Sequence, residues 1–154
     1  MSNNREYPER PVVGVGGVVI FEGRVLLVRR GAPPFEGEWS IPGGMLETGE
    51  TILEGVRREL AEETGMDVRV IDLIEVFERM SLDAEGKSKY HYVVLDYFCE
   101  VIGGDACAGS DAAEVAWATK ENLSEYALSA SAHRVIQKAF EAARARATGS
   151  KERD

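Results

Sequence analysis

The apolar residues change their spacing along the chain, and these changes mark the predicted elements. Val12–Phe21 and Arg24–Arg30 are rich in valine and isoleucine, as is typical of β-strands. Glu22 and Gly23 lie between the two runs and favour a tight hairpin turn. Residues 31–39 contain two prolines and two glycines, so they predict a loop.

From Thr51 onward the apolar positions recur every three or four residues, which predicts an amphipathic helix. Gly65 follows the last of these positions, at the place where a left-handed residue commonly ends a helix. We therefore expect the helix to end at Thr64. The predicted buried stripe consists of Leu53, Val56, Leu60 and Thr64.

Strand-like patterns return after this helix and are separated by polar loops at residues 81–89 and 103–111. The predicted strands are residues 67–80, 90–102 and 114–119. Residues 129–147 predict a second helix, because the apolar positions again follow the helical period. Its expected buried stripe is Ala132, Val135, Ile136, Ala139, Phe140 and Ala143. The order ββ–α–βββ–α predicts a mixed sheet covered by helices on both faces.

The length and composition favour one ordinary globular domain. The chain has 154 residues, of which 44% are hydrophobic and 29% are charged, and a chain of this size can bury a single core without staples. We expect the domain to span residues 11–147, with flexible tails at residues 1–10 and 148–154, because chain ends are commonly loose.

The charges limit the classes of binding partner that we expect, and the cysteines indicate the cellular compartment. Eighteen basic and 27 acidic residues give a net charge of −9, which argues against nucleic-acid binding because that needs a basic surface. The longest nearly apolar run has ten residues, too few to cross a bilayer, and no signal peptide is visible. Cys99 and Cys107 are too few for a disulfide framework, so we expect a reduced, cytoplasmic setting.

Three glutamates of the first predicted helix crowd one side of it. Glu59, Glu62 and Glu63 fall within an arc of roughly 100° beside the apolar stripe, and like charges at this spacing destabilise a helix by about 0.2–0.5 kcal/mol per pair. A divalent cation would relieve the repulsion, and an all-oxygen ligand set selects Mg²⁺ or Mn²⁺. The alternative is an ordinary solvated face, in which Arg58 pairs with Glu54 and Glu62 along the helix.

A longer pattern surrounds these glutamates. Gly44, Glu50 and the run from Arg58 to Met66 resemble the signature of the Nudix hydrolases, Gly-x5-Glu-x7-Arg-Glu-U-x-Glu-Glu-x-Gly-U, where U is a bulky aliphatic residue. Every fixed position matches over 23 residues, and only Met66 fits the last U loosely. The resemblance extends from Val13 to about Phe140 and includes residues 39–44 and 114–117.

The resemblance implies an α/β/α sandwich of the α+β class, in which a mixed sheet carries the signature as a loop–helix–loop. It also implies Mg²⁺- or Mn²⁺-dependent hydrolysis of a nucleoside diphosphate linked to another moiety, by attack of a water that the metal or a carboxylate activates. The implied metal ligands are Glu59, Glu62, Glu63 and the main-chain carbonyl of Gly44. Glu50 is expected to support the metal site or to bind the metal through water. Arg58 is expected to hold Glu62 or a neighbouring acid in one rotamer.

An acid outside the signature often completes such sites as a ligand or as the general base. Glu114 is the first candidate for this role in the chain and Asp111 is the second. The identity of the general base stays open among Glu59, Glu63 and Glu114.

Two further segments, residues 26–34 and 90–97, resemble the bacterial ADP-ribose pyrophosphatase branch of the family. This branch cleaves ADP-ribose to AMP and ribose 5-phosphate. The resemblance implies that Arg29 or Arg30 contacts a phosphate or the ribose, and that Phe35, Trp39 or Tyr92 stacks on the adenine. The structural alternatives are solvent-exposed arginines at a strand end and an ordinary cross-strand aromatic at Tyr92. His91 and His133 are interpreted as structural residues.

Other functions remain open on the same fold. A nucleoside triphosphate, such as an oxidised dGTP or a CTP-like pyrimidine, is the nearest alternative substrate. A ligand-sensing regulator should have a damaged signature or a DNA-binding segment, and neither is visible. An RNA-decapping role conflicts with the acidic charge. We expect a small nucleotide as the partner, no nucleic acid and no membrane, and the resemblance is compatible with a homodimer.

Overall fold

The computed structural model of the protein describes residues 5–33, 35–109 and 112–152. Within these residues the strands are β1 Val12–Phe21, β2 Arg24–Arg30, β3 Trp39–Ser40, β4 Gly43–Met45, β5 Met66–Leu82, β6 Ser88–Gly104 and β7 Ala112–Thr119. The helices are α1 Ile52–Thr64 and α2 Ala130–Glu152, with a short 3-10 turn at Leu123–Glu125. The predicted bounds of the first two strands are confirmed, and Glu22 and Gly23 both have positive φ, as their hairpin turn requires.

The seven described strands form one mixed sheet. Its main path is β3-β2-β1-β6-β5, while β4 pairs with β1 and β7 pairs with β2. The pairing of β1 with β6 is parallel, and the neighbouring pairs β1–β2 and β5–β6 are antiparallel. The mixed sheet predicted from the order of elements is therefore confirmed.

The two helices cover opposite faces of this sheet, because side chains alternate between the faces of a strand. From β1, Val15 and Val19 pack in the core beneath α1 with Val56 and Leu60. Val18 points the other way, into the core beneath α2. The α2 side of that core contains Val135, Ile136, Ala139 and Phe140, and Ala132 and Ala143 are also buried or half-buried. The α/β/α sandwich and the buried stripe of α2 are confirmed.

Both ends of α1 are set by local hydrogen bonds. Thr51 is the N-cap, and its hydroxyl accepts from the backbone N–H of Glu54 at 3.2 Å while the Glu54 carboxylate accepts from the Thr51 N–H at 2.9 Å. Gly65 follows the helix with φ +74° and donates its N–H to Ala61. The capping box and the left-handed cap explain why the helix ends where the sequence predicts.

Several boundaries differ from the prediction. The strands β5 and β6 extend to a turn at Asp83, whose backbone N–H donates to the Lys87 carbonyl at 2.8 Å, because ladder hydrogen bonds do not need apolar side chains. The strands β3 and β4 were not predicted, since two or three residues show no periodicity. The helix α2 continues to Glu152, five residues beyond the predicted end of the second helix at residue 147.

One predicted core position is also wrong. Leu53 is 49% exposed, although it lies on the predicted buried stripe of α1. Ile52 and Leu46 pack against the core at this end of the helix instead.

The first described residues lie along β6. The N–H of Tyr7 donates to the Lys89 carbonyl at 2.8 Å.

Candidate active site

The strand β4 brings the backbone of Gly43 and Gly44 against the first strand of the sheet. Gly43 pairs with Gly16, and Gly44 pairs with Val15. A Cβ atom at Gly43 would collide with the backbone of Val15, and one at Gly44 would collide with the carboxylate of Glu59. The two glycines therefore allow the acidic face of α1 to lie directly on this strand.

Two glutamates of α1 are withdrawn from solvent at this contact. Glu63 is only 6% exposed, and its Oε2 accepts a hydrogen bond from the N–H of Gly43 at 2.9 Å. Burial raises the pKa of Glu59, and the neighbouring Arg58 guanidinium opposes that rise. The interpretation of the acidic face as wholly solvated does not hold for these two residues.

Arg58 pairs with three members of a carboxylate cluster, which we define as Glu50, Glu59, Glu62 and Glu63. Its Nε and Nη2 bind the two oxygens of Glu50 at 2.9 and 2.6 Å. Its Nη1 donates to Glu59 at 2.8 Å and to the more exposed Glu62 at 3.2 Å. The paired guanidinium lowers the pKa of Glu50 to about 2. Glu54 takes no part in a ladder along the helix because its side chain caps Thr51.

The chemistry of the cluster fits a hard divalent cation. The cluster holds four carboxylates, of which three pair with the one guanidinium and the fourth, Glu63, accepts from the N–H of Gly43. It therefore carries surplus negative charge and offers only oxygen donors to a cation. Within the described ranges, no three acidic, histidine or cysteine side chains already converge as a metal site, because Arg58 and the N–H of Gly43 hold the carboxylates. A bound cation would replace part of these contacts.

The structure does not bring Glu114 to this cluster, contrary to the expectation. Glu114 lies on β7 and pairs with Arg29 of β2 at 3.0 Å. Val115 and Trp117 pack in the core beneath α1, so alternation turns Glu114 towards the other face of the sheet. The second candidate, Asp111, lies outside the described residues.

A pocket of about 130 Å³ opens on the α2 face of the sheet, beside β4. We call it the α2-side pocket. Three of the predicted substrate-binding residues, Arg30, Phe35 and Tyr92, line it together with Gly43 and Gly44. The pocket and the carboxylate cluster thus meet at the same two glycines.

The other two predicted substrate-binding residues lie elsewhere. Trp39 makes an edge-on contact with Tyr126, with ring centroids 5.0 Å apart, and packs against the core beneath α2. Arg29 is held by Glu114. Both residues therefore have contacts outside the pocket.

The prediction missed the polar residues inside the pocket. Asp96 of β6 is only 3% exposed there, and burial raises its pKa to about 7. Arg79 of β5 places its guanidinium 3.7 Å from the centre of the Phe35 ring and donates to Glu38 at 2.9 Å. A signal for Asp96 was available, since it interrupts an otherwise apolar strand face between Val94 and Phe98. Arg79 had none.

Residues 10–139 match the NUDIX domain family. The chain belongs to this family. The predicted resemblance is therefore confirmed, and the signature of the NUDIX domain coincides with β4, α1 and the turn between them.

Curated relatives carry hydrolase names. An "ADP-ribose pyrophosphatase" of Methanocaldococcus jannaschii is 37% identical over 117 residues, which cover 76% of this chain and 67% of the relative. A "Nucleoside triphosphatase NudI" of Salmonella newport is 32% identical over 99 residues, which cover 61% of this chain and 70% of the relative. These similarities confirm the prediction of a Nudix hydrolase and the likeness to the ADP-ribose pyrophosphatase branch.

A solved structure agrees with the architecture. A MutT NUDIX hydrolase from Burkholderia pseudomallei superposes with a TM-score of 0.73 at 26% identity, over 84% of this chain and 98% of the other.

Among the helices of the described residues, none combines the length and apolar character that a membrane span requires. Both cysteines are free, Cys99 in the core and Cys107 at the surface.

Proposed function

We propose that this Nudix hydrolase cleaves the diphosphate bond of a nucleoside diphosphate derivative, and that ADP-ribose is cleaved to AMP and ribose 5-phosphate. The observation that carries the proposal is the meeting of the carboxylate cluster and the α2-side pocket at Gly43 and Gly44. A nucleoside in the pocket would extend its diphosphate across β4 towards the glutamates of α1.

The metal ligands of this proposal are Glu59, Glu62, Glu63 and the carbonyl of Gly44. Mg²⁺ or Mn²⁺ bound there supplies positive charge for the diphosphate and lowers the pKa of water. Glu59 and Glu63 are the candidate proton acceptors, and the raised pKa of Glu59 suits a general base. Glu114 is not a candidate proton acceptor, because its side chain faces the other side of the sheet.

Glu50 and Arg58 act as positioning residues in this proposal. The two-point contact between them fixes the guanidinium, which in turn holds Glu59 and Glu62 in one orientation. On the substrate side, Arg30 would bind a phosphate or the ribose, while Phe35 and Tyr92 would contact the base.

The test is a substrate panel with Mg²⁺ present or chelated, followed by analysis of the phosphorus-containing products. We expect ADP-ribose to yield AMP and ribose 5-phosphate only when Mg²⁺ is present. Glu63→Gln should lower kcat by about 10²–10⁴, the range for losing a positioned proton acceptor or its equivalent. Glu54→Gln is the matched control, since glutamine also serves in a capping box. Full turnover of Glu63→Gln would contradict the assignment.

A nucleoside triphosphate is the second candidate substrate, and the similarity to the nucleoside triphosphatase of Salmonella favours it. Products separate the two candidates, because triphosphate cleavage of this kind releases pyrophosphate and ADP-ribose cleavage does not. Hydrolysis of triphosphates without hydrolysis of ADP-ribose would remove the first proposal.

Three further predictions concern the surroundings of the enzyme. We expect a cytoplasmic location, because two free cysteines suit a reduced setting. We expect a small nucleotide rather than nucleic acid as the partner, because the chain is strongly acidic. We expect no membrane partner, because the longest nearly apolar run has ten residues. A homodimer also stays a prediction. Exposed Leu73, Val76 and Met80 along the edge strand β5 favour it, and light scattering in solution would test it.

A further inference from the structure

The α2-side pocket contains a buried acid that none of the catalytic roles above uses. Asp96 is 3% exposed, and no hydrogen bond or ion pair joins its carboxyl group to another described residue. Gly16 pairs with it across the sheet, and a Cβ atom at Gly16 would collide with the Asp96 Oδ1. The glycine thus leaves space for this carboxyl group inside the pocket.

The surroundings of Asp96 favour its protonated form. Burial is the main reason that its pKa rises to about 7, and the negative charge of Glu75 adds to the effect. Glu75 itself stays ionised, since Arg134 and Lys138 of α2 pair with it and hold its pKa near 2. A protonated carboxyl group carries one O–H donor and one C=O acceptor side by side.

A second unmet hydrogen-bonding group lies on the same face of β6. The hydroxyl oxygen of Tyr92 is buried and has no hydrogen-bond partner within the described part of the chain, and Tyr92 lines the same pocket as Asp96. A buried polar group without a partner costs free energy. A buried hydroxyl without a partner and a buried carboxyl group that no described residue bonds, both in one pocket, indicate that a ligand supplies hydrogen-bond partners there.

The walls of the pocket suit a flat aromatic ring. Gly14 and Gly16 make the β1 side free of side chains, and Phe35 and Phe77 line the pocket as well. The Phe35 ring is held in place by the guanidinium of Arg79 at 3.7 Å. Apolar walls with a few convergent polar groups are typical of small-ligand sites.

We propose that Asp96 selects the nucleobase of the substrate through a pair of hydrogen bonds with an adenine-type edge. The O–H of Asp96 donates to a ring nitrogen, its carbonyl accepts from the adjacent amino group, and the hydroxyl of Tyr92 provides a second polar contact. The inference rests on the proposed function for one point only, that the bound molecule is a nucleotide whose diphosphate reaches Gly43 and Gly44.

Isothermal titration calorimetry with AMP in the absence of metal tests how Asp96 and Tyr92 contribute to binding. Asp96→Leu removes both hydrogen-bonding groups and should weaken AMP binding at least about tenfold. Asp96→Asn keeps a donor and an acceptor and should stay within about threefold of the wild type. Asp72→Asn, the same change at an exposed strand position, should have no effect. Tyr92→Phe should weaken AMP binding and raise the Tm of the free protein, because it removes an unpaired buried hydroxyl.

Two altered ligands test the same contact from the other side and do not depend on the folding of Asp96→Leu. N6,N6-dimethyl-AMP keeps the ring but lacks the amino donor, so the wild type should bind it at least about tenfold more weakly than AMP. Ribose 5-phosphate lacks the base and should bind more weakly still. The losses from Asp96→Leu and from the dimethyl ligand should not add, because both remove one contact.

Each contrary result overturns the inference. Equal binding of AMP by wild type and Asp96→Leu would remove the role of Asp96. A loss in Asp96→Asn as large as in Asp96→Leu would mean that the ionised carboxylate is the binding form. Equal affinity for ribose 5-phosphate and AMP, or no AMP binding, would mean that the pocket does not hold the base. The proposed function fails separately, if the wild type hydrolyses no nucleotide with Mg²⁺ present.

Discussion

The carboxylate cluster of α1 and the α2-side pocket stabilise acidic side chains in opposite protonation states. In the cluster, Glu50 is kept ionised by two hydrogen bonds from Arg58, with a pKa of about 2. In the pocket, Asp96 lacks a cationic partner among the described residues, and burial raises its pKa to about 7. One site holds its charge by pairing, and the other avoids charge by retaining a proton.

The difference matches the two roles that we propose for the two faces of the sheet. The cluster lies half open to solvent and gathers negative charge, as a cation site requires. The pocket on the opposite face is lined by apolar residues together with Asp96, Tyr92 and the arginines Arg30 and Arg79, a mixture that suits the proposed binding of a nucleotide. Only the two glycines of β4 separate them, so the distinction depends on which face of the sheet each side chain occupies.

The largest expected effect is on the free energy of unfolding of Asp96→Asn, which should depend on pH because Asp96 is protonated rather than paired. The folded pKa of Asp96 lies above its unfolded value, so the wild type loses stability as pH rises from about 4 to about 7. Asparagine does not titrate, and the variant should gain up to about 4 kcal/mol over the wild type at pH 8, but little at pH 4. Urea unfolding at both pH values measures this, with Asp72→Asn as control. A difference that does not change with pH would contradict the protonated form.

Gly44→Ala should have the next largest effect, on catalysis. The new methyl group would collide with the Glu59 carboxylate, and displacing a catalytic group by about 1 Å can cost about 10² in rate. Steady-state kinetics would measure kcat, and Gly103→Ala is the matched control because a Cβ atom there meets open space. AMP binding in the α2-side pocket should change less than kcat, and equal losses in both would mean that the two sites are not separable.

Arg58→Lys should lower activity by about ten- to a hundredfold, the range for losing an outer partner of a metal ligand. Lysine keeps the charge but cannot bind both oxygens of Glu50 while donating to Glu59. The neighbouring Arg57→Lys is the control, since the one ion pair of Arg57 with a described residue is its exposed contact with Asp67. Unchanged metal affinity and kcat in Arg58→Lys would show that charge alone, and not the planar fork, organises the cluster.

Glu50→Gln should have the smallest effect and the opposite pH dependence to Asp96→Asn. The folded pKa of Glu50 is lowered, so its contribution to stability is present above about pH 4.5 and is lost as pH falls towards 2. The variant should be less stable than the wild type by about 1.5 kcal/mol at pH 7, the lower end of the range for a hydrogen bond to a charged group. Thermal unfolding between pH 3 and pH 7 would detect the convergence of the two proteins. A constant gap would contradict the pairing.

Much of the cluster was predictable because its geometry is local. The spacing of Glu59, Glu62 and Glu63 places them on one side of α1, and the caps at Thr51 and Gly65 limit the helix from within a few residues. Hydrophobic spacing likewise identified β1 and β2 to the residue. Such features depend on hydrogen bonds and periods that span only a few positions of the chain.

The sequence by itself determined the family signature, the helix that carries it and the mixed order of strands, because each is encoded over short stretches. Only the tertiary structure decided that Asp96 lies in a pocket, that Glu114 faces away from α1 and that Trp39 packs on Tyr126. These outcomes depend on strand register and sheet face, which arise from pairings between distant segments, and a shift of one residue would reverse each of them.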